Sequence, residues 1–398
     1  MKIRSQYTIP LIFVGILFFM IGFALGINGL MVPFLRKALH ISGAASYMVL
    51  AATFSTFVIF GYPAGMVIQK IGYKKAMMLS FAFFAVGLYL FIPSARHQSF
   101  GLFLLASFVS GMGNTLLQAS VNPYITMLGP MESAATRMSI MGICNKAAWA
   151  VAPIFLAIFL DLDQVVLQDI YLPFFLISGV FVFLGIVLQF VPLPEVSAAG
   201  EDEQQPRCEY AEGKTGIWQF PHLWMGLITL LFYVGVETLA LASIVDYAEG
   251  LHLNDPETFT GYTVLCMVLG YLAGVFFIPR YLSQSKAMLA CAWMGIAGSL
   301  GIVLSPEPFS IIFLAFLGLA NSLIWPAIWP LAMADLGKFT KTGASLLVMA
   351  IVGGALFPLL FGWLSDLLQS QQQAYWICLP CYLMIFYYGK IGHKIRIL

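Results

Sequence analysis

Charge is what this sequence has least of. Asp, Glu, Lys and Arg make up 9% of its 398 residues, against about 25% in soluble domains. A net charge of +1 gives no field to steer a polyanion, so nucleic acid is not an expected partner. The five His are scattered, and no zinc spacing occurs. Cys378-x-x-Cys381 lies in an apolar run, where i, i+3 thiols are small core residues. No phosphate-binding glycine loop, nucleophile elbow or pair of catalytic carboxylates is present. No Asn-x-Ser/Thr acceptor occurs either. Enzyme chemistry, a metal and an organic cofactor are therefore not expected.

What is present is apolar. The hydrophobic share is 61%, with 34 Phe and 36 Gly. That pairing suits packed helices in a bilayer, where small residues let backbones approach. A membrane helix needs about 20 mostly apolar residues. Twelve such runs are legible, at roughly 8–33, 45–69, 76–93, 100–127, 138–160, 170–190, 222–246, 259–279, 287–304, 309–333, 343–365 and 373–388. The first is too long for a signal-peptide core and lacks a small-residue cleavage site. The expected class is an all-α membrane protein.

The connectors orient the chain. With both termini cytoplasmic, every basic residue but Arg36, Lys37, Arg96 and Lys146 falls on the cytoplasmic side. Lys2, Arg4, Lys70, Lys74, Lys75, Arg280, Lys286, Lys390, Lys394 and Arg396 are among them. Asp161, Asp163, Asp169, Asp246, Glu249, Asp255 and Glu257 fall on the other side. One connector stands apart. Residues 191–221 carry Glu195, Glu201, Asp202, Glu203, Glu209 and Glu212 against Arg207 and Lys214, with Pro and Gly among them. They read as a solvated cytoplasmic linker between residues 1–190 and 222–398, each a six-helix bundle.

The two halves repeat each other weakly. Gly61-Tyr62-Pro63-Ala64-Gly65 returns as Gly270-Tyr271-Leu272-Ala273-Gly274. Asn114 and Pro123 return as Asn321 and Pro330, and Pro153 and Asp161 as Pro358 and Asp366. Gly26-Ile27-Asn28 aligns with Gly235-Val236-Glu237. Matches in one order at nearly one offset indicate parallel six-helix pseudo-repeats, whose substrate site lies near the bilayer midplane. Pro123, Pro153, Pro330 and Pro358 are candidates for kinks.

Gly65-x-x-x-Gln69-Lys70-x-Gly72-Tyr73-Lys74-Lys75 resembles the loop that follows span two in the major facilitator superfamily, with Gln69 in place of its acid. Asn122-Pro123-Tyr124-Ile125-Thr126-Met127-Leu128-Gly129-Pro130 is similar to a run of the fucose–galactose–glucose:proton symporter family within it. Tyr233-Val234-Gly235-Val236-Glu237, Ala344–Met349 and Gly353-Gly354 resemble its spans seven and eleven. The resemblance implies a hexose or deoxyhexose permease working by alternating access, with helices one, four, seven and ten around a central cavity. It also implies proton coupling through carboxylates in spans one and four. Those positions are Gly29 and Gln118 here, which do not titrate. A family asparagine in span five is kept as Asn145, followed by Lys146.

The residues themselves point to a site without the family. Ionisable side chains deep in a bilayer are costly and mark function. Two lie deep, Lys146 and Glu237. Lys146 sits nine residues past Arg137, so roughly 13 Å further along the helix axis. Similar depth allows a charge pair, a shared watery cavity, or a structural role alone. Gln118 and Asn122 share a helix face at i, i+4, and so do Trp325 and Trp329. Amides can exchange hydrogen bonds with sugar hydroxyls, while indoles pack on the C–H face of a pyranose. Interhelical glue and interfacial anchoring are the plain alternatives. Asn28, Asn114, Asn145 and Asn321 are weaker members of the same set. If transport is coupled, Glu237 and Lys146 are the expected carriers of an H+ or Na+ dependence. An N-acetylated or acidic sugar, with Lys146 facing a carboxylate, stays open as substrate, and so does a non-transporting sensor on this fold. A monomer in a bacterial inner membrane is expected.

Overall fold

A computed structural model describes residues 8–160, 166–194, 196–197, 200, 208–256 and 258–396. Lys2, Arg4, Asp161, Asp163, Glu195, Glu201, Asp202, Glu203, Arg207 and Glu257, and with Asp161 one repeat match, lie outside them, as does the side chain of Pro153. The helices of the first half are α1 (Thr8–Ala38), α2 (Gly43–Ile59), α3 (Gly61–Arg96), α4 (Phe100–Met127), α5 (Ala134–Ala157) and α6 (Tyr171–Phe190). Then come α7 (Pro221–Gly250), α8 (Thr258–Phe277), α9 (Gln284–Leu304), α10 (Ser310–Ser322) and α11 (Ile324–Met333). Last are α12 (Thr340–Met349), α13 (Gly353–Leu368), α14 (Gln371–Ala374) and α15 (Cys378–Lys390).

Ten helical stretches among the described residues are individually long and apolar enough to cross a membrane. The twelve expected spans are recovered once their breaks are read. Span two is α2 plus the first turns of α3, joined at Phe60. Span three is the rest of α3, beyond Gly72, whose φ of 79° a side chain would oppose. Spans ten and eleven each hold a break, at Leu323 and at Ala350–Val352. Span twelve is α14 and α15 joined by the tight turn Tyr375–Ile377. α4, α11 and α13 run on through Pro123, Pro330 and Pro358.

The chain forms two compact units. The first holds α1–α3, most of α4, α5 from Cys144, α6, and Ala344–Met349 of α12. Its α3–α6 contact is aromatic: the Phe91 and Phe174 rings stack at 4.6 Å, and Phe84 meets Phe181 at 4.8 Å. α1 lies so close to α5 that a Cβ on Gly22 would run into the backbone oxygen of Asn145. This is the small-residue packing that membrane helices need. Lys74 of the basic loop donates to the carbonyls of Gln189 (3.0 Å) and Val191 (2.8 Å), so a cation caps the C-terminal end of α6. The outer face of α6 exposes Phe175, Phe183 and Phe190. Such a face suits hydrocarbon and not water.

The second unit holds Ile125–Ile143, Ser197–Gly343 and the chain from Ala350 onwards. Gly318 lets α10 reach the Thr263 carbonyl of α8, and Gly295 lies under the Tyr382 ring. The described end of the linker belongs here and is not merely solvated. Cys208 and Phe220 are buried, and Phe220 meets Tyr210 at 5.9 Å and Phe339 at 5.5 Å. The Lys214 ammonium lies 3.1 Å from the Tyr210 ring centroid. Charge counting misses this because aromatics decide the packing.

Candidate functional site

In the first unit the site residues lie on α4, α1 and α5. Asn114, Gln118 and Asn122 form a ladder along one face of α4, all buried. Gln118 Nε2 donates to Asn114 Oδ1 at 3.0 Å. Asn122 Nδ2 donates to the Gln118 backbone carbonyl at 3.0 Å. The Gln118 side-chain carbonyl remains as an acceptor beyond this ladder. Asn28 Nδ2 reaches Thr53 Oγ1 at 3.4 Å, joining α1 to α2. Asn145 Nδ2 donates to the Phe18 carbonyl at 3.1 Å, joining α5 to α1. For these two the interhelical role is the one visible. Lys146 is 7% exposed and takes part in polar interaction.

In the second unit the Tyr233 phenol pairs with Glu237, one turn later on α7, and with the phenol of Tyr271 on α8. Tyr233 continues to the Trp325 ring at 6.3 Å, and Trp325 to Trp329 at 5.6 Å. The i, i+4 pair on α11 thus belongs to one aromatic wall that ends at a carboxylate. Trp325 is partly accessible, whereas Trp329 is fully buried behind it. Trp329 Nε1 has no hydrogen-bond partner among the described residues. Asn321 accepts from Tyr382 Oη at 2.8 Å through Oδ1.

Tyr271 and Tyr382 carry no role in the sequence reading. Tyr271 lies in the repeated Gly-Tyr-x-Ala-Gly string, which hints at it. Tyr382 is far from Asn321 in sequence and gives no local signal. Chemically, the first unit offers carboxamides and an ammonium. The second offers aromatic faces, phenols and a carboxylate. Among the described residues no group of three His, Cys, Asp or Glu side chains could hold a metal.

Residues 14–351 match the Major Facilitator Superfamily. The glucose/galactose transporter of Brucella abortus is 30% identical, covering 98% of this chain and 96% of the relative. The L-fucose-proton symporter of Escherichia coli is 22% identical, covering 97% and 93%. Among solved structures, the transporter FucP in its outward conformation aligns with a TM-score of 0.82 at 21% identity, over 98% of this chain and 99% of that one. The proton:xylose symporter XylE aligns at 0.77 and 13% identity, over 98% and 96%. The fold and the family match agree over nearly the whole length, and the chain belongs to the Major Facilitator Superfamily as a multi-pass, twelve-helix membrane protein.

Proposed function

We propose that the chain is a monosaccharide permease importing a hexose or deoxyhexose by alternating access. The carrying observation is the buried amide ladder of α4 at Gln118 and Asn122, in a protein similar to a glucose/galactose transporter and a fucose symporter. In this reading the α4 amides exchange hydrogen bonds with sugar hydroxyls. The Tyr233–Trp325–Trp329 wall offers its aromatic face to the ring carbons, with Trp325 the accessible member. Residues 1–190 and 222–398 are the two repeats that rock, and 191–221 joins them. The basic connectors support cytoplasmic termini; the bacterial sources of the relatives support a bacterial inner membrane, and the reading takes the permease as a monomer. Glu237 carries any coupling proton.

Uptake of labelled glucose, galactose, fucose, N-acetylglucosamine and sialic acid into proteoliposomes tests the reading. Saturable uptake of a neutral hexose is expected. Gln118→Ala should weaken its binding roughly 2- to 10-fold, the value of about one neutral hydrogen bond. Selective uptake of sialic acid would move the substrate to the acidic class. Unchanged affinity in folded Gln118→Ala and Asn122→Ala would remove α4 from the site.

A further inference from the structure

Two helix ends that belong to different sequence repeats cap each other. α5 begins at Ala134, after the tight turn Met131–Ser133. The first backbone N–H groups of a helix have no partner within it. Here Ala135 N–H donates to Gln284 Oε1 at 3.2 Å. The other end of the same amide, Gln284 Nε2, donates to the Met131 carbonyl at 2.8 Å. Gln284 is the first residue of α9. The exchange is returned: Thr136 Oγ1 donates at 2.6 Å to the carbonyl of Ile278, just past the last residue of α8. Thr136 is buried.

The contact continues along α5 and α8. A Cβ on Gly274 would come within 2.8 Å of Ser139 Oγ. A Cβ on Gly142 would come within 2.6 Å of the ring of Tyr271, whose phenol pairs with Tyr233. All of these residues fall in one compact unit, though residues 131–142 come from the first repeat and 271–284 from the second. Arg137, the nearby cation, turns into its own loop toward Ile125, Thr126, Pro130 and Ser133. The three capping bonds are therefore neutral. Each shifts an equilibrium by roughly 2- to 10-fold, enough to bias a conformation and little enough to break in every cycle.

We propose that Gln284 and Thr136 are gating residues: a neutral latch of reciprocal helix caps that holds shut the membrane face carrying the 191–221 linker. The proposal rests on the permease reading through alternating access, which requires that face to open. Two-fold use of one carboxamide makes Gln284 the stronger half. The latch releases when water replaces all three of its bonds.

Hydrogen exchange of the full-length, sugar-free protein in detergent tests it. Gln284→Ala and Thr136→Val should each raise exchange in residues 131–142 and 271–284 by roughly 2- to 10-fold. In the same samples, the connectors of the opposite face, residues 39–46 and 251–256, should become more protected, because opening one face closes the other. Thr136→Ser keeps the hydroxyl and should exchange like the parent protein. Unchanged exchange in both variants would overturn the latch. So would faster exchange on both faces, which is loosening and not gating. Absence of sugar uptake by the parent protein would defeat the permease reading alone, since the exchange pattern needs no sugar.

Discussion

Arg137 offers the sharpest test of how the α4–α5 turn is held. Its guanidinium is 3% exposed. Nε donates to the Ile125 carbonyl at 3.1 Å, Nη2 to the Thr126 carbonyl at 2.9 Å, and Nη1 to the Pro130 carbonyl at 3.0 Å and Ser133 Oγ at 2.7 Å. The carbonyls of Ile125 and Thr126 belong to the last turn of α4, where no intrahelical donor exists. Gly129, at φ 110°, brings the loop back within 3.4 Å of Nη1, measured to its would-be Cβ. Arg137→Met keeps the apolar stem and strips the donors from three carbonyls, those of buried Ile125 and Thr126 and that of exposed Pro130. Hydrogen bonds to a charged group contribute about 1.5–3 kcal/mol each. They are not additive, and removing the guanidinium also relieves its own desolvation. A net loss of about 3–5 kcal/mol is expected, which lowers the melting temperature in detergent by about 5–10 °C. Arg137→Lys should recover only part of this, because an ammonium cannot serve four acceptors spread around a planar fork. A melting temperature for Arg137→Met within a degree of the parent protein would refute the account.

Two further predictions concern packing and pH. Gly22→Ala places a methyl against the Asn145 backbone and should cost about 1–3 kcal/mol by overpacking; Gly179→Ala, where a Cβ meets nothing within 4 Å, should leave the melting temperature unchanged. His393 is buried after the last span, with Nδ1 against the Tyr388 carbonyl at 2.9 Å, and burial lowers its pKa from the ordinary 6.5. The unfolded chain then takes up a proton that the folded one resists, so stability is full above about pH 6.5 and falls as the pH drops below it. His393→Gln should flatten that part of the melting-temperature profile.

Much of the architecture is legible because bilayer physics acts on composition and length. Twelve apolar runs give the span count, and Gly72 marks the end of span two in sequence as it does in backbone angle. The i, i+4 pairs are legible too: Gln118 with Asn122 and Trp325 with Trp329 do share faces. What their partners are is not. Asn28 and Asn145 turn to Thr53 and Phe18 of neighbouring helices, and Asn321 to Tyr382. Periodicity gives the face of a helix but not which helix it meets. The cap that Gln284 supplies to α5 is beyond any local pattern, since capping signals are sought within a few residues of the helix start. The packing of the linker's end is hidden for another reason. Its charge suggests water, and most of its described residues are indeed at least partly exposed, while Cys208 and Phe220 are buried.

The neutral positions in spans one and four bear on coupling. A packed Gly29 would explain a missing carboxylate by lack of room. Yet among the described residues a Cβ on Gly29 meets nothing within 4 Å, so crowding at that position does not account for the absence. Gln118 is likewise bound by its amide to Asn114, a bond that a carboxylate in its place could not donate. Neither position can take up a proton, and Glu237, paired with the Tyr233 phenol, is the carboxylate left among the residues proposed for the site. Two variants separate these roles. Glu237→Gln should abolish sugar-driven alkalinisation outside proteoliposomes while leaving downhill sugar exchange in place, because an amide keeps the shape and loses the proton. Gly29→Asp, which places a titratable carboxyl at the span-one position, should add a pH dependence to sugar binding that the parent protein lacks. Proton movement that survives in Glu237→Gln would show that the coupling group lies elsewhere, and the open position at Gly29 would then have no bearing on it.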